Sequence, residues 1–91
     1  MDTQRVALIT GSSKGLGKAM AMSLGAKGCA VAINYFNGRE KAEETFQEFT
    51  DSGYRGMLVQ ANAIDPEEVS RMCAEVQDAL GPIDILVANA T

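Results

Sequence analysis

The chain contains no histidine, which removes the commonest general base and the commonest metal ligand together. Cysteine is nearly as scarce. Cys29 and Cys73 stand far apart without a C-x-x-C spacing, so neither a zinc site nor a redox pair is in view, and a reduced, cytoplasmic protein is expected. Basic residues are outnumbered, 8 against 12 acidic ones, leaving a net charge of −4. That balance excludes the basic footprint of a nucleic-acid binder, and no polybasic run favours a membrane surface. No apolar stretch approaches the roughly 20 residues that a membrane span needs. The start, Met1-Asp2-Thr3-Gln4-Arg5, lacks the charged-then-apolar pattern of a signal peptide.

What remains is an ordinary soluble composition. The 91 residues are 46% hydrophobic and 22% charged, enough for one domain with one core. Apolar runs alternate with helical periods. Residues 5–10, 29–35, 57–61 and 83–88 read as strands, and 29–35 is apolar almost throughout, as a parallel strand covered on both faces is. Between them, residues 15–27 form a helix with Leu16, Ala19, Met20, Ser23 and Leu24 as its expected stripe, and Gly28 as its C-terminal cap. Residues 39–52 form a second helix, burying Ala42, Thr45, Phe46 and Phe49 and turning Glu40, Glu43, Glu44 and Glu48 to solvent. Asp65 caps a third helix that begins at Pro66 and runs through Leu80. It buries Val69, Met72, Cys73, Val76 and Leu80, which makes Cys73 a core residue. The order β-α-β-α-β-α-β predicts an α/β fold, a doubly wound Rossmann-type parallel sheet with right-handed crossovers and strand order 3-2-1-4.

The stretch Thr10-Gly11-Ser12-Ser13-Lys14-Gly15-Leu16-Gly17 joins the first strand to the first helix. Glycines there let the backbone turn tightly and let a ligand approach closely. The first-turn N–H groups of the helix then face that ligand, with the equivalent of roughly half a positive charge. Strand, glycine-rich turn and helix in this order form a phosphate cradle. The spacing, T-G-x-x-x-G-x-G, is neither G-x-G-x-x-G nor a P-loop. A receiver-type domain is excluded because residues 10–13 and 62–64 supply no acids.

That loop, with Asn89-Ala90 after the fourth strand, resembles the cofactor motif and the Asn-Ala-Gly motif of the short-chain dehydrogenases/reductases. The resemblance spans Arg5 to Thr91 and is nearest the 3-oxoacyl-[acyl-carrier-protein] reductases. It implies an oxidoreductase, cytoplasmic, that uses NADP(H) to reduce a carbonyl, here a 3-oxoacyl thioester of fatty acid biosynthesis, and that works as a dimer or tetramer. Gly11, Ser12, Ser13, Lys14, Gly15, Leu16 and Gly17 would cradle the phosphates. Tyr35 ends the second strand, where an acid would bind both ribose hydroxyls and repel a 2′-phosphate. With Tyr35 and Asn37 neutral and Lys14 and Arg39 nearby, NADPH is favoured over NADH, although Lys14 also reads as a solvated loop charge. Asn62 stands where the family usually has Asp and would accept from the adenine amino group, with Ala63 at the ring edge; a simple turn Asn is the alternative. Asn89 would tie the sheet, and Ala90 would lie by the ribose. Thr91 replaces the usual Gly, and with Asn62 it resembles variant members that include some enoyl reductases, so an enoyl thioester is the alternative substrate.

The family's catalytic Ser and Tyr-x-x-x-Lys cannot be placed. Four residues after Tyr35 and Tyr54 stand Arg39 and Leu58. The expectation is a single dinucleotide-binding half-domain over 1–91, with no catalytic residue and no metal ligand in it, inactive alone. The other reading is a non-catalytic binding module that works only with a partner chain.

Overall fold

A computed structural model describes residues 4–89. Four strands and three helices alternate: β1 (Val6–Ile9), α1 (Gly15–Ala26), β2 (Ala30–Tyr35), α2 (Arg39–Asp51), β3 (Gly56–Gln60), α3 (Pro66–Leu80) and β4 (Ile85–Val87). The strands form one parallel sheet in the order β3-β2-β1-β4. This is the doubly wound α/β arrangement expected from the alternation of apolar runs and helical periods.

Because successive side chains of a strand point to opposite faces, the sheet has two cores. Val6, Leu8, Ala30, Ala32, Val59 and Ala61 meet Met72 and Val76 of α3 on one face. Ala7, Ile9, Val31 and Ile33 meet Ala21 of α1 and Phe49 of α2 on the other. β1 and β2 are buried at every residue, as strands sandwiched between helices must be. Cys73 packs against the α3-side core, as its helical spacing predicts, and both cysteines are free thiols. No helix among the described residues is long and apolar enough to cross a membrane.

Two expectations are corrected. The stripe of α1 is not Leu16, Ala19, Met20, Ser23 and Leu24. Its fully buried residues are Gly17, Ala21 and Gly25, while Leu16 is 70% exposed and Ala19 and Ser23 face solvent. Met20 and Leu24 flank the true contact line. Close approach, not hydrophobicity, selects these positions: a Cβ on Gly25 would lie 2.7 Å from both the Phe49 and Tyr54 rings. The fourth strand is also shorter than expected, Ile85–Val87 in place of 83–88. The Asp84 N–H donates to Val6 O at 2.9 Å. The Asp84 carboxylate accepts from Val6 N at 2.9 Å. A side chain therefore occupies the ladder position that another strand residue would take.

Candidate functional site

The glycine-rich loop is shaped by backbone conformations that few other residues tolerate. Gly11 and Gly15 have φ of +60° and +59°, a region that costs residues with a Cβ about 1 kcal/mol or more. Gly17 is constrained by space. A Cβ there would run into the Gly11 carbonyl oxygen and lie 2.6 Å from Asn89 Nδ2 and 2.8 Å from Ser12 Cα. The first turn of α1 thus presses against the loop. The Ser12 hydroxyl is spent inside the fold, donating to Ile9 O at 2.7 Å and accepting from Asn34 N at 3.0 Å. Asn89 crosses from β4: its backbone N–H donates to Thr10 Oγ1 at 2.9 Å, and its amide donates to Gly11 O at 3.0 Å. Asn89 thus joins the end of β4 to the glycine loop.

Asn34 holds the other side of the loop, and sequence reasoning assigned it no role beyond being a neutral neighbour of Tyr35. It is 1% exposed. Its Oδ1 accepts from Gly11 N at 3.0 Å, and its amide nitrogen donates to Val59 O at 3.3 Å and Ala61 O at 3.2 Å. Ser12 N donates in turn to Asn34 O at 2.9 Å. One polar residue at the end of an otherwise apolar buried strand was the signal, because such a group must find partners inside.

The three helix starts differ. Asp65 accepts from Glu67 N and Glu68 N, and acids fill the first turn of α3. α2 begins without a side-chain cap but carries Glu40 in its first turn. α1 has neither a side-chain cap nor an acid there. No side chain among the described residues caps its first-turn N–H groups or faces the positive end of its dipole with an acid in that turn.

That end opens on a cavity of about 540 Å³. Gly11, Ser13, Lys14, Gly15 and Leu16 line it from the loop; Tyr35, Phe36 and Asn37 from the end of β2; Asn89 from the end of β4. A second cavity, about 270 Å³, lies beside it, between Asn34 and the segment Ala61, Asn62, Ala63 and Ile64, with Gly11 and Phe36 shared by both. Neither cavity is lined by a carboxylate, and Lys14 supplies the cationic side chain.

Most of the expected residues are therefore gathered at one end of the sheet, the carboxyl ends of its strands. Ser12 and Gly17 are buried beneath the loop. Arg39 lines neither cavity; it lies on the exposed surface of α2 and pairs with Glu43 at 3.7 Å. Asn62 has its side-chain oxygen engaged by Ile64 N at 3.1 Å, the turn role, with a second lone pair left over. Ala90 and Thr91 lie outside the described residues. Phe36 and Ile64 were not expected at the site. Their signal is an apolar side chain in a polar turn, where burial does not explain it: both are exposed.

Comparison with known proteins agrees with the fold. Residues 5–91 match the model of a family described as short chain dehydrogenase. A 3-oxoacyl-[acyl-carrier-protein] reductase of Staphylococcus aureus is 40% identical over 99% of this chain and 37% of its own length. A trihydroxynaphthalene reductase of Colletotrichum orbiculare is 38% identical over 94% of this chain and 30% of its own. Among solved structures, a blue fluorescent protein from a metagenomic library, in complex with NADPH, superposes with a TM-score of 0.88 at 35% identity, covering 94% of this chain and 36% of that one. The chain thus spans about a third of the length of these relatives.

Proposed function

The chain belongs to the short-chain dehydrogenase family, and on that premise we propose that it forms the NADP(H)-holding part of a cytoplasmic, oligomeric reductase acting on a carbonyl, a 3-oxoacyl thioester by preference. One observation carries the cofactor choice. The cavity at the uncapped start of α1 is lined by Lys14 and by no carboxylate. An acid at the end of β2 would bind a free ribose and repel a 2′-phosphate; here that position is Tyr35. The loop geometry fits a dinucleotide, since Gly11 and Gly15 line the cavity without Cβ atoms and Gly17 lets α1 press against the loop.

Bound NADPH would supply a hydride to the carbonyl carbon. This chain's own residues would bind and orient the cofactor. The first-turn N–H groups of α1 and the loop backbone would hold the pyrophosphate. Lys14, on the larger cavity, would hold the 2′-phosphate, and Asn62 and Ala63, on the smaller one, the adenine. Ser12, Asn34 and Asn89 keep the loop in shape through the hydrogen bonds described above. The preference for a 3-oxoacyl thioester rests on the name of the Staphylococcus aureus relative. Another relative, matched at 38% identity, is named a trihydroxynaphthalene reductase.

Titration of the protein with NADPH and NADH, followed by the quenching or enhancement of nicotinamide fluorescence, tests the reading. Lys14→Ala is expected to weaken NADPH about tenfold and NADH by much less, since a charge-assisted phosphate contact contributes roughly 1–2 kcal/mol. Equal weakening of both cofactors would show that Lys14 does not meet the 2′-phosphate.

A further inference from the structure

The turn between β2 and α2, residues 36–38, is exposed throughout, yet it carries the one aromatic side chain shared by both cavities. Phe36 is 49% exposed. Phe36 lines both the cavity at the start of α1 and the smaller one beside Asn62. The turn enters α2 through Gly38, at φ +79° and without a side-chain cap. One side chain among the described residues hydrogen bonds to its backbone: Gln60 donates from Nε2 to Phe36 O at 3.1 Å. Gln60 is the last residue of β3 and pairs with Tyr35 in the sheet, so its backbone is fixed directly beside the turn. It is held again from α3, where Arg71 Nη2 donates to Gln60 O at 2.8 Å.

We propose that Gln60 is a positioning residue for the adenosine end of the cofactor: by holding the Phe36 carbonyl, it keeps the Phe36 ring as the common wall of the two cavities. The inference rests on the reading that these cavities take NADP(H). An exposed phenyl ring offers an adenosine base a face on which to stack, and such contacts are worth having only when the ring is fixed before the ligand arrives. Phe36 packs into neither core, so its placement depends on the backbone it stands on. Gln60 does not line either cavity and touches the ligand only through Phe36. Because the adenosine is common to NADPH and NADH, the effect is equal for both cofactors, unlike that of Lys14.

A double-mutant cycle on cofactor binding tests this. Phe36→Ala is expected to weaken NADPH and NADH each by about tenfold, near the lower end of what a base stacked on an aromatic side chain contributes. Gln60→Met keeps the length and removes the donor; it should weaken both by about fivefold in the wild-type background and by less than about twofold in Phe36→Ala, because the two act as one unit. Gln60→Lys keeps a donor at similar reach and should restore NADH binding, which has no 2′-phosphate for the new charge to meet. Melting temperatures taken alongside separate loss of fold from loss of binding. If the wild type binds neither cofactor, the functional reading and this inference fall together. If the wild type binds but Gln60→Met binds equally well, or loses as much in the Phe36→Ala background, or Gln60→Lys fails to rescue a folded protein, this inference alone is overturned.

Discussion

At the scale of the residue, the loop is held by polar groups whose worth lies in having no spare partner. Asn34 bridges three segments: the loop at Gly11, the end of β3 at Val59, and the segment after it at Ala61. Removing its amide leaves the Gly11 N–H without that acceptor at a part-buried position, along with buried carbonyls. Asn34→Ala should therefore cost about 2–3 kcal/mol, the penalty of unsatisfied buried groups plus the lost side chain. For a chain of this size, that lowers the melting temperature by roughly 10 °C or more. It should also weaken NADPH binding, because Gly11 loses the contact that sets its place. Urea denaturation with a parallel cofactor titration reads both, and an unchanged unfolding midpoint would refute the account. In the sequence, Gly11 and Lys14 stand out by their place in the loop and Asn89 by the family resemblance. Asn34 stands out only as a polar residue in an apolar strand, because one amide does not reveal which distant carbonyls it will meet. Phe36 escaped for a related reason: a half-exposed phenyl ring at a turn has no periodicity to betray it.

At the scale of the element, the helix starts separate structure from function. α3 completes its own N-terminus with Asp65, Pro66 and two acids, and α1 leaves its own open. Asp65→Ala should cost about 1 kcal/mol, the usual value of an N-cap. It should leave NADPH affinity unchanged, since Asp65 lines neither cavity. A urea unfolding curve and a fluorescence titration on the same variant check this, and a drop in affinity without a drop in stability would contradict the division of labour. The caps of α3 were legible because each capping residue type has a local cause. So were the faces of α2 and α3, where apolar side chains recur at the helical period. The face of α1 was not. Gly17, Ala21 and Gly25 recur at every fourth position, but small residues carry little hydrophobic signal. What selects them is the nearness of the loop on one turn and of the Phe49 and Tyr54 rings on another. A helix that must bring its N-terminus close to a ligand must itself sit close, and closeness is written in the absence of side chains.

At the scale of the whole molecule, the strand order places the glycine loop, the end of β2, the end of β3 and Asn89 at one end of the sheet. Every crossover is parallel, so every strand delivers its last residue to the same side, and the two cavities are a consequence of topology. The α/β order itself was legible because the alternation of apolar runs with helical periods admits few arrangements. The same topology decides what these 91 residues can do. They contain two tyrosines. Tyr35 is 4% exposed and is followed four residues later by Arg39, whose side chain pairs with Glu43 on the surface. Tyr54 packs edge-on against Phe49, ring centroids 5.3 Å apart, within the core under α2. Neither tyrosine has a lysine four residues on, and no histidine is present to replace it as the proton donor. A carbonyl held beside a reduced nicotinamide would then receive a hydride with no tyrosine or histidine placed to protonate its oxygen. General acid catalysis is worth about 10²–10⁴-fold in rate, so these residues are expected to bind without useful turnover. These 91 residues should accordingly bind NADPH while consuming none of it in the presence of a 3-oxoacyl thioester. Following the absorbance of the reduced nicotinamide against a protein-free control checks this, and substrate-dependent loss of NADPH that scales with protein concentration would require a proton donor the two tyrosines do not supply.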